Sequence, residues 1–202
     1  MRANALRISL LAVLVLLAQV TPPVYADSEP LEHLKINLAS VQQVLTDPNL
    51  AGNQHFHQRR KLMRVVLDKL FDFQEMSRRA LGANARRYKD RLGEFTPLFT
   101  DFLEYAYMGI LEENGDAKIR YLDEKRENDY AQVSTRTQLR DGSEYRVDYK
   151  FHHHPMGWRA YDVTVEGISL VNNYRSQFDR ILNRISFDEL LDNLREKKEK
   201  FN

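Results

Sequence analysis

The chain has no cysteine anywhere in its 202 residues. Disulfides, thiol nucleophiles, cysteine zinc sites and a lipid-modified cysteine are therefore excluded. Glycine is sparse, with eight residues scattered along the chain, and they form neither a phosphate-cradling loop nor a nucleophile elbow. No repeat and no low-complexity stretch marks a linker. Neither sign of charge prevails: 30 Lys and Arg stand against 29 Asp and Glu, a balance that gives no ground for nucleic-acid binding. Beyond residue 26 no apolar run approaches the ~20 residues needed to span a bilayer.

The one long apolar run lies at the start. Arg2 and Arg7 flank or precede Ile8 to Leu17, which only Ser9 interrupts, and Val24-Tyr25-Ala26 puts a small residue before Asp27. That layout reads as a secretory leader over 1–26, with one domain over 27–202; an uncleaved anchor is the alternative, and the shortness of the run opposes it. Cleavage leaves 176 residues, enough to bury one core, with 28 basic against 29 acidic side chains, a charge of −1. The near-neutral total hides an uneven distribution. Residues 55–91 hold eleven Lys or Arg against Asp68, Asp72, Glu75 and Asp90, so this segment is +7 and the remainder −8. A solvated helical face is one reading; a docking face for anionic headgroups or an acidic partner, centred on Arg78, Arg79, Arg86 and Arg87, is the other.

Periodicity divides the chain. Leu31, Leu34, Leu38, Val41 and Leu45 mark a helix that Asp47-Pro48 ends, and a second from about Gln58 buries Met63, Val66, Leu67 and Leu70. Asp72-Phe73-Gln74-Glu75 has capping-box spacing, opening a short helix that Gly82 closes. A longer helix carries Phe95, Phe99, Phe102, Ala106 and Ile110, with a kink or a fresh start expected at Pro97. After Gly115 the period falls to two: Lys118–Leu122, Tyr130–Leu139 and Tyr145–Phe151 read as strands, with a hairpin turn at Asp141-Gly142. Ser186 and Glu189 form a second capping box before Leu190, Leu191 and Leu194, and the Lys197–Lys200 tail is expected to fray. Helices followed by a block of hairpin-connected strands describe an α+β fold.

Each candidate for chemistry has a plainer reading. Of His152, His153 and His154 only alternate members share a strand face, and His55 and His57 lack a third ligand, so no metal set forms. Asp162 and Glu166 would lie about 13 Å apart on a strand, beyond the ~5–9.5 Å span of paired glycosidase carboxylates. Arg175 or backbone donors are their expected partners. What remains is apolar and aromatic, a pattern shared by a filled core and by a hollow lined with the same side chains.

The most informative segment is Trp158 to Phe178. Tyr161, Val163 and Val165 read as one face of a strand, Glu166-Gly167 as a tight turn, and Ile168, Val171, Tyr174 and Phe178 as one face of a helix. As it stands, W-x-x-Y-D-V-x-V-E-G-I-S-L-V-x-N-Y-R-x-Q-F closely resembles the signature of the toluene-tolerance, or MlaC-type, family. Phe71 to Gly82 is similar to that family's F-D-F-x-x-M-x-x-x-A-L-G, and the helix with Phe95, Phe99, Leu103 and Tyr107 resembles its next element. Val133-Ser134-Thr135 and Val147-Asp148-Tyr149 are also similar. One departure is Ala83-Asn84-Ala85-Arg86, where the family usually has a tryptophan soon after A-L-G.

The resemblance implies a twisted, mainly antiparallel sheet wrapped by helices around a deep apolar lipid cavity, in the cone shape of nuclear-transport-factor-like proteins. It implies a periplasmic carrier of phospholipid with no cofactor and no catalytic activity. Its partners would be an outer-membrane lipoprotein complex and an inner-membrane ABC transporter bearing an MCE-domain ring, serving outer-membrane lipid asymmetry. The candidate lipid-contacting side chains are then Tyr107, Tyr145, Val147, Tyr149, Phe151, Trp158, Tyr161, Val163, Val165, Ile168, Val171, Tyr174 and Phe178. A carrier of a hopanoid or other isoprenoid, and an enzyme on the same cone-shaped fold, are the alternatives.

Overall fold

The computed structural model describes residues 29–199; the leader-like segment at 1–26 and Lys200 lie outside the described residues. Five strands form an antiparallel meander in chain order: β1 (Lys118–Glu127), β2 (Tyr130–Gln138), β3 (Glu144–His154), β4 (Gly157–Val165) and the two-residue β5 (Ile168–Ser169). Before the sheet come α1 (Pro30–Thr46), α2 (Phe56–Leu70), α3 (Phe73–Leu81), the single-turn α4 (Asn84–Arg87) and α5 (Leu92–Glu113). After it come α6 (Leu170–Leu182) and α7 (Phe187–Glu199). This is an α+β fold with an open antiparallel sheet. Among the described residues no helix is long and apolar enough to cross a membrane.

Local chemistry fixes the element ends. Val165 pairs with Ile168, so Glu166-Gly167 is a two-residue hairpin loop. Both of its residues have positive φ, 47° and 82°, as the primed turns that match strand twist require. Ser169 accepts from the Asn172 amide at 3.1 Å and starts α6 one residue later. The expected capping box at α7 is complete: the Ser186 amide donates to Glu189 at 2.8 Å and the Glu189 amide to the Ser186 hydroxyl at 3.2 Å. At α3 only half of one forms. Asp72 accepts from the Glu75 amide at 2.8 Å, but Glu75 turns to Arg78 and Arg79, while the Asp72 amide donates to Ala160 of β4.

Several expectations change. Ile168 is in β5 and 69 % exposed, because the Ser169 cap excludes it from the helix that carries Val171, Tyr174 and Phe178. α5 runs through Pro97 without a fresh start. Proline there removes one backbone donor near the helix N-terminus, where the ladder is just beginning. On α5 Ala106 and Ile110 face solvent, and the inward stripe is Phe95, Phe99, Leu103 and Met108. The tail does not fray through Glu199: Lys197 lies over the Phe102 ring and Lys198 pairs with Asp101 at 2.7 Å. Arg175 serves neither Asp162 nor Glu166; it donates to the Arg79 carbonyl at 2.9 Å.

Three packed regions flank the space between helices and sheet; the smallest joins α1, α2 and α5 through Val41, Met63 and Met108. In another, α3, α5, α6 and α7 meet through Phe95, Phe99, Tyr174, Phe178 and Phe187, with Phe99 5.4 Å from Phe95 and 5.3 Å from both Tyr174 and Phe178. In the third, Leu34, Leu38 and Leu70 of α1 and α2 cover Ala131, Val133, Phe151, Trp158 and Ala160 of the sheet. Phe99→Ala should cost about 3–5 kcal/mol, because the rings around it cannot collapse into the space; denaturant unfolding measures it. His33 of α1 is held below its ordinary value of 6.5, first by burial and then by Arg159. The unfolded chain therefore takes up this proton before the folded chain does. Stability should fall as pH drops below 6.5 through the lowered folded value, and His33→Gln should flatten that part of a pH–stability profile.

Candidate apolar cavity

Between the helical layer and the concave side of the sheet lies a cavity of about 270 Å³. Leu38 and Val41 of α1, and Leu67 and Leu70 of α2, form one wall. Phe71, with Phe73 and Met76 of α3, forms the next, and Leu103, Tyr107, Met108 and Leu111 of α5 the third. Tyr149 of β3 with Val163 and Val165 of β4 make the sheet side, and Leu170 closes one end. Each of these helices turns part of its inward stripe to the space and packs the rest against its neighbours.

A β-bulge decides which β4 residues reach the cavity. Tyr149 pairs with Val163 and Lys150 with Asp162, but Phe151 pairs with Ala160, so Tyr161 is the extra residue. Val163 and Val165 face inward with Tyr149. Tyr161 turns out beneath the Arg79 guanidinium, 3.9 Å from its ring, and beside Tyr130. Unbroken alternation would have put all three on one face. Asp162, on the face opposite Val163, accepts from the Ser169 hydroxyl at 2.7 Å and the Val171 amide at 3.1 Å, tying β4 to the start of α6.

The remaining candidates fall in three places. Phe151 and Trp158 lie in the packed region under α1, and Val171, Tyr174 and Phe178 in the aromatic one, where Tyr174 and Phe178 also line a separate groove with α7; none of the five lines the cavity. Val147 is half-buried on β3 outside the cavity wall. Tyr145 and Ile168 are exposed, at 38 % and 69 %. Of the thirteen, Tyr107, Tyr149, Val163 and Val165 meet at the cavity. Sequence reasoning missed the wall contributed by Leu38, Leu67, Leu70, Met76 and Leu103. Helical period marks such residues as inward-facing but does not say whether a neighbour sits opposite.

The ionisable groups on the wall do not suit proton transfer. Glu104 of α5, only 8 % exposed, accepts from Arg64 at 2.7 Å and from Arg60 at 3.2 Å, both on α2. Arg64 also reaches Asp101, and Arg59 binds Glu112 at 2.7 Å together with the Leu50 and Gly52 carbonyls. Much of the basic run is thus consumed in stitching α2 to α5. Burial pushes the Tyr149 phenol well above its ordinary range, and burial with a Tyr107 hydrogen bond does the same to Tyr174. Such groups stay neutral at physiological pH. His152, raised as a metal candidate, instead meets Asp72 at 2.9 Å. Among the described residues no group of three or more His, Asp or Glu is arranged to hold a metal ion.

None of the four arginines singled out for docking lines the cavity. Arg78 and Arg79 share Glu75, whose carboxyl burial would push up but whose hydrogen bonds to both arginines hold it below the usual range. Arg87 stacks over Tyr88 at 5.3 Å, and Arg86 lines an open groove.

The model of the MlaC protein family matches residues 36–196. No curated protein matches the chain. Among solved structures, a phospholipid-binding protein from Ralstonia solanacearum, determined in complex with a phospholipid, is similar. It has a TM-score of 0.73 and 22% identity, with 86% of this chain and 99% of that one covered; a likeness at that identity establishes the fold.

Val163→Glu tests whether the space is hollow. An unpaired carboxylate costs several kcal/mol in a filled interior and much less where water can follow it in. The variant should fold with modest loss of stability; outright unfolding would mark position 163 as solid core.

Proposed function

The chain belongs to the MlaC protein family, and from that premise we propose that it is a carrier whose cavity receives the acyl chains of a phospholipid. The observation that carries this is the cavity: apolar stripes of α1, α2, α3 and α5 and the inner face of β3 and β4 line one space, with Arg64 and Glu104 of its wall paired to each other. A catalyst would need an unpaired acid, base or nucleophile facing that space, so the wall chemistry supports binding over turnover. The Ralstonia solanacearum protein of similar fold was solved with a phospholipid, which supports the choice of cargo.

Energetics set the working mode. Each buried methylene contributes about 0.8 kcal/mol, so a chain of roughly 14 gains about 11 kcal/mol over water before ordering costs. Unassisted release into water would be very slow, whereas transfer between two apolar sites is nearly neutral. The carrier therefore needs a donor and an acceptor. By family likeness we assign these as an outer-membrane lipoprotein complex and an inner-membrane MCE-domain ABC transporter. The setting is the periplasm, reached through the leader at 1–26, and the role is maintenance of outer-membrane lipid asymmetry.

At about 270 Å³ the cavity lies below the ~300–1,000 Å³ usual for drug-sized ligands, and a two-chain lipid is larger still. Loading must widen it. The α2–α5 line is the wall joined by ion pairs rather than by interlocked rings, and in our reading it yields first.

Protein secreted by a bacterial host should release diacyl phospholipid on organic extraction, in near-stoichiometric amount and chemically intact by mass spectrometry. Lipid-free protein that also takes up no labelled phospholipid from vesicles would contradict the proposal.

A further inference from the structure

A second concavity, larger than the apolar cavity, is an open groove of about 910 Å³ beside α3 and α6, which shares no lining residue with the cavity and includes Gly82, Ala83 and Ala85. Five cations line it, Arg78, Arg79, Arg86, Lys89 and Arg175, against one wall carboxylate, Asp179, which accepts from Asn84 at 2.9 Å. Glu75 neutralises part of the Arg78 and Arg79 charge. Arg175 is held in place from two sides. Its Nε donates to the Arg79 carbonyl, and its Cγ and Cδ lie where a Cβ on Gly82 would be, 3.1 Å away. Arg86 and Lys89 have no acidic partner among the described residues. Unpaired cations beside an anchored guanidinium leave a strong positive potential, which a concave low-dielectric wall focuses.

The groove does not end at α3. Arg79 lies over Tyr161, which lines a second groove of about 620 Å³ with Tyr130, three cations, Lys125, Arg126 and Lys150, and one carboxylate, Glu127; Lys150 also pairs with Asp162 at 3.3 Å. Cations thus follow one another along a track rather than converging on one point. A single phosphate would use a fraction of that track. A flat bilayer would touch the rims and leave both floors wet. We propose that this track is a docking surface for an extended acidic polypeptide segment of a partner protein. The proposal rests on the carrier reading, which requires partners to meet the protein without blocking the cavity, and a track that shares no lining residue with the cavity leaves it free.

The test uses the full secreted chain and a labelled poly-glutamate peptide, with poly-glutamine and vesicles of mixed phosphatidylcholine and phosphatidylglycerol as comparisons. Poly-glutamate should bind and poly-glutamine should not, with affinity falling steeply as salt rises. The Arg86→Glu, Lys89→Glu double variant should bind poly-glutamate at least about tenfold more weakly, mainly through slower association, at unchanged thermal stability. Lys125→Glu should weaken it further, whereas Arg140→Glu, remote in the β2–β3 hairpin, should not. Equal binding by the double variant overturns the proposal, and so does binding to the anionic vesicles in preference to the peptide. Extracted lipid is measured on the same samples. Lipid retained while the double variant binds like the unaltered protein refutes the track alone; peptide binding that obeys the charges in a chain that carries no lipid refutes the carrier reading and leaves the track standing.

Discussion

An apolar hollow has no cohesion of its own. Every pair of atoms that faces across it without touching forfeits dispersion energy, and close-packed interiors tend to remove such space. The structure must hold apart the stripes of α1, α2, α3 and α5, and it does so from behind the walls. Phe95, Phe99, Tyr174, Phe178 and Phe187 interlock at one side and fix α5 against α6 and α7. Leu34, Leu70, Phe151 and Trp158 fix α1 and α2 to the sheet. The Asp72 amide on the Ala160 carbonyl, and Asp162 on the Ser169 hydroxyl and Val171 amide, tie α3 and α6 to β4. The space left between these fixed bodies is the cavity.

The remaining seam, α2 against α5, combines a small apolar cluster around Met63 and Met108 with a line of ion pairs. Arg60 and Arg64 meet Glu104, Arg64 meets Asp101, and Arg59 meets Glu112. Ion pairs differ from interlocked rings in an important way: water can replace their contacts as they part, although the burial of Glu104 raises the cost at that point. Placing rings where the body must stay rigid and ion pairs where it must admit cargo suits a carrier. It also explains why the basic segment is two things at once. Its α2 part is structural, and its α3–α4 part, with Arg86 and the following Lys89 free of acidic partners among the described residues, is the part on which the docking proposal rests.

Much of the fold was legible because it rests on local chemistry. Ser186 and Glu189 announce the start of α7, Asp141-Gly142 the β2–β3 turn, and the alternation from Tyr145 to Phe151 the face of β3. The errors have local causes as well. A serine cap moved the start of α6 past Ile168, and a bulge turned Tyr161 out of the face it would share with Val163. A bulge inserts one residue without altering composition or hydropathy, so alternation gives no warning of it. The site was less legible than the fold for a reason of principle. Leu103, which faces space, and Phe99, which faces rings, occupy the same stripe of the same helix. Only long-range packing distinguishes them, and the resemblance at Trp158 to Phe178, not periodicity, pointed to a cavity.

The central claim is that acyl chains occupy the space between α5 and the inner face of β4. A phospholipid carrying a diazirine near the end of one acyl chain, loaded and then irradiated, reports its neighbours directly through mass-spectrometric mapping of the adducts. Adducts should fall on Met76, Leu103, Tyr149 and Val163, and Tyr161, next but one to Val163 but turned outward by the bulge, should stay unlabelled. Adducts concentrated on Tyr161, Tyr130 or the Arg86 groove, with Val163 and Leu103 unmarked, would contradict it.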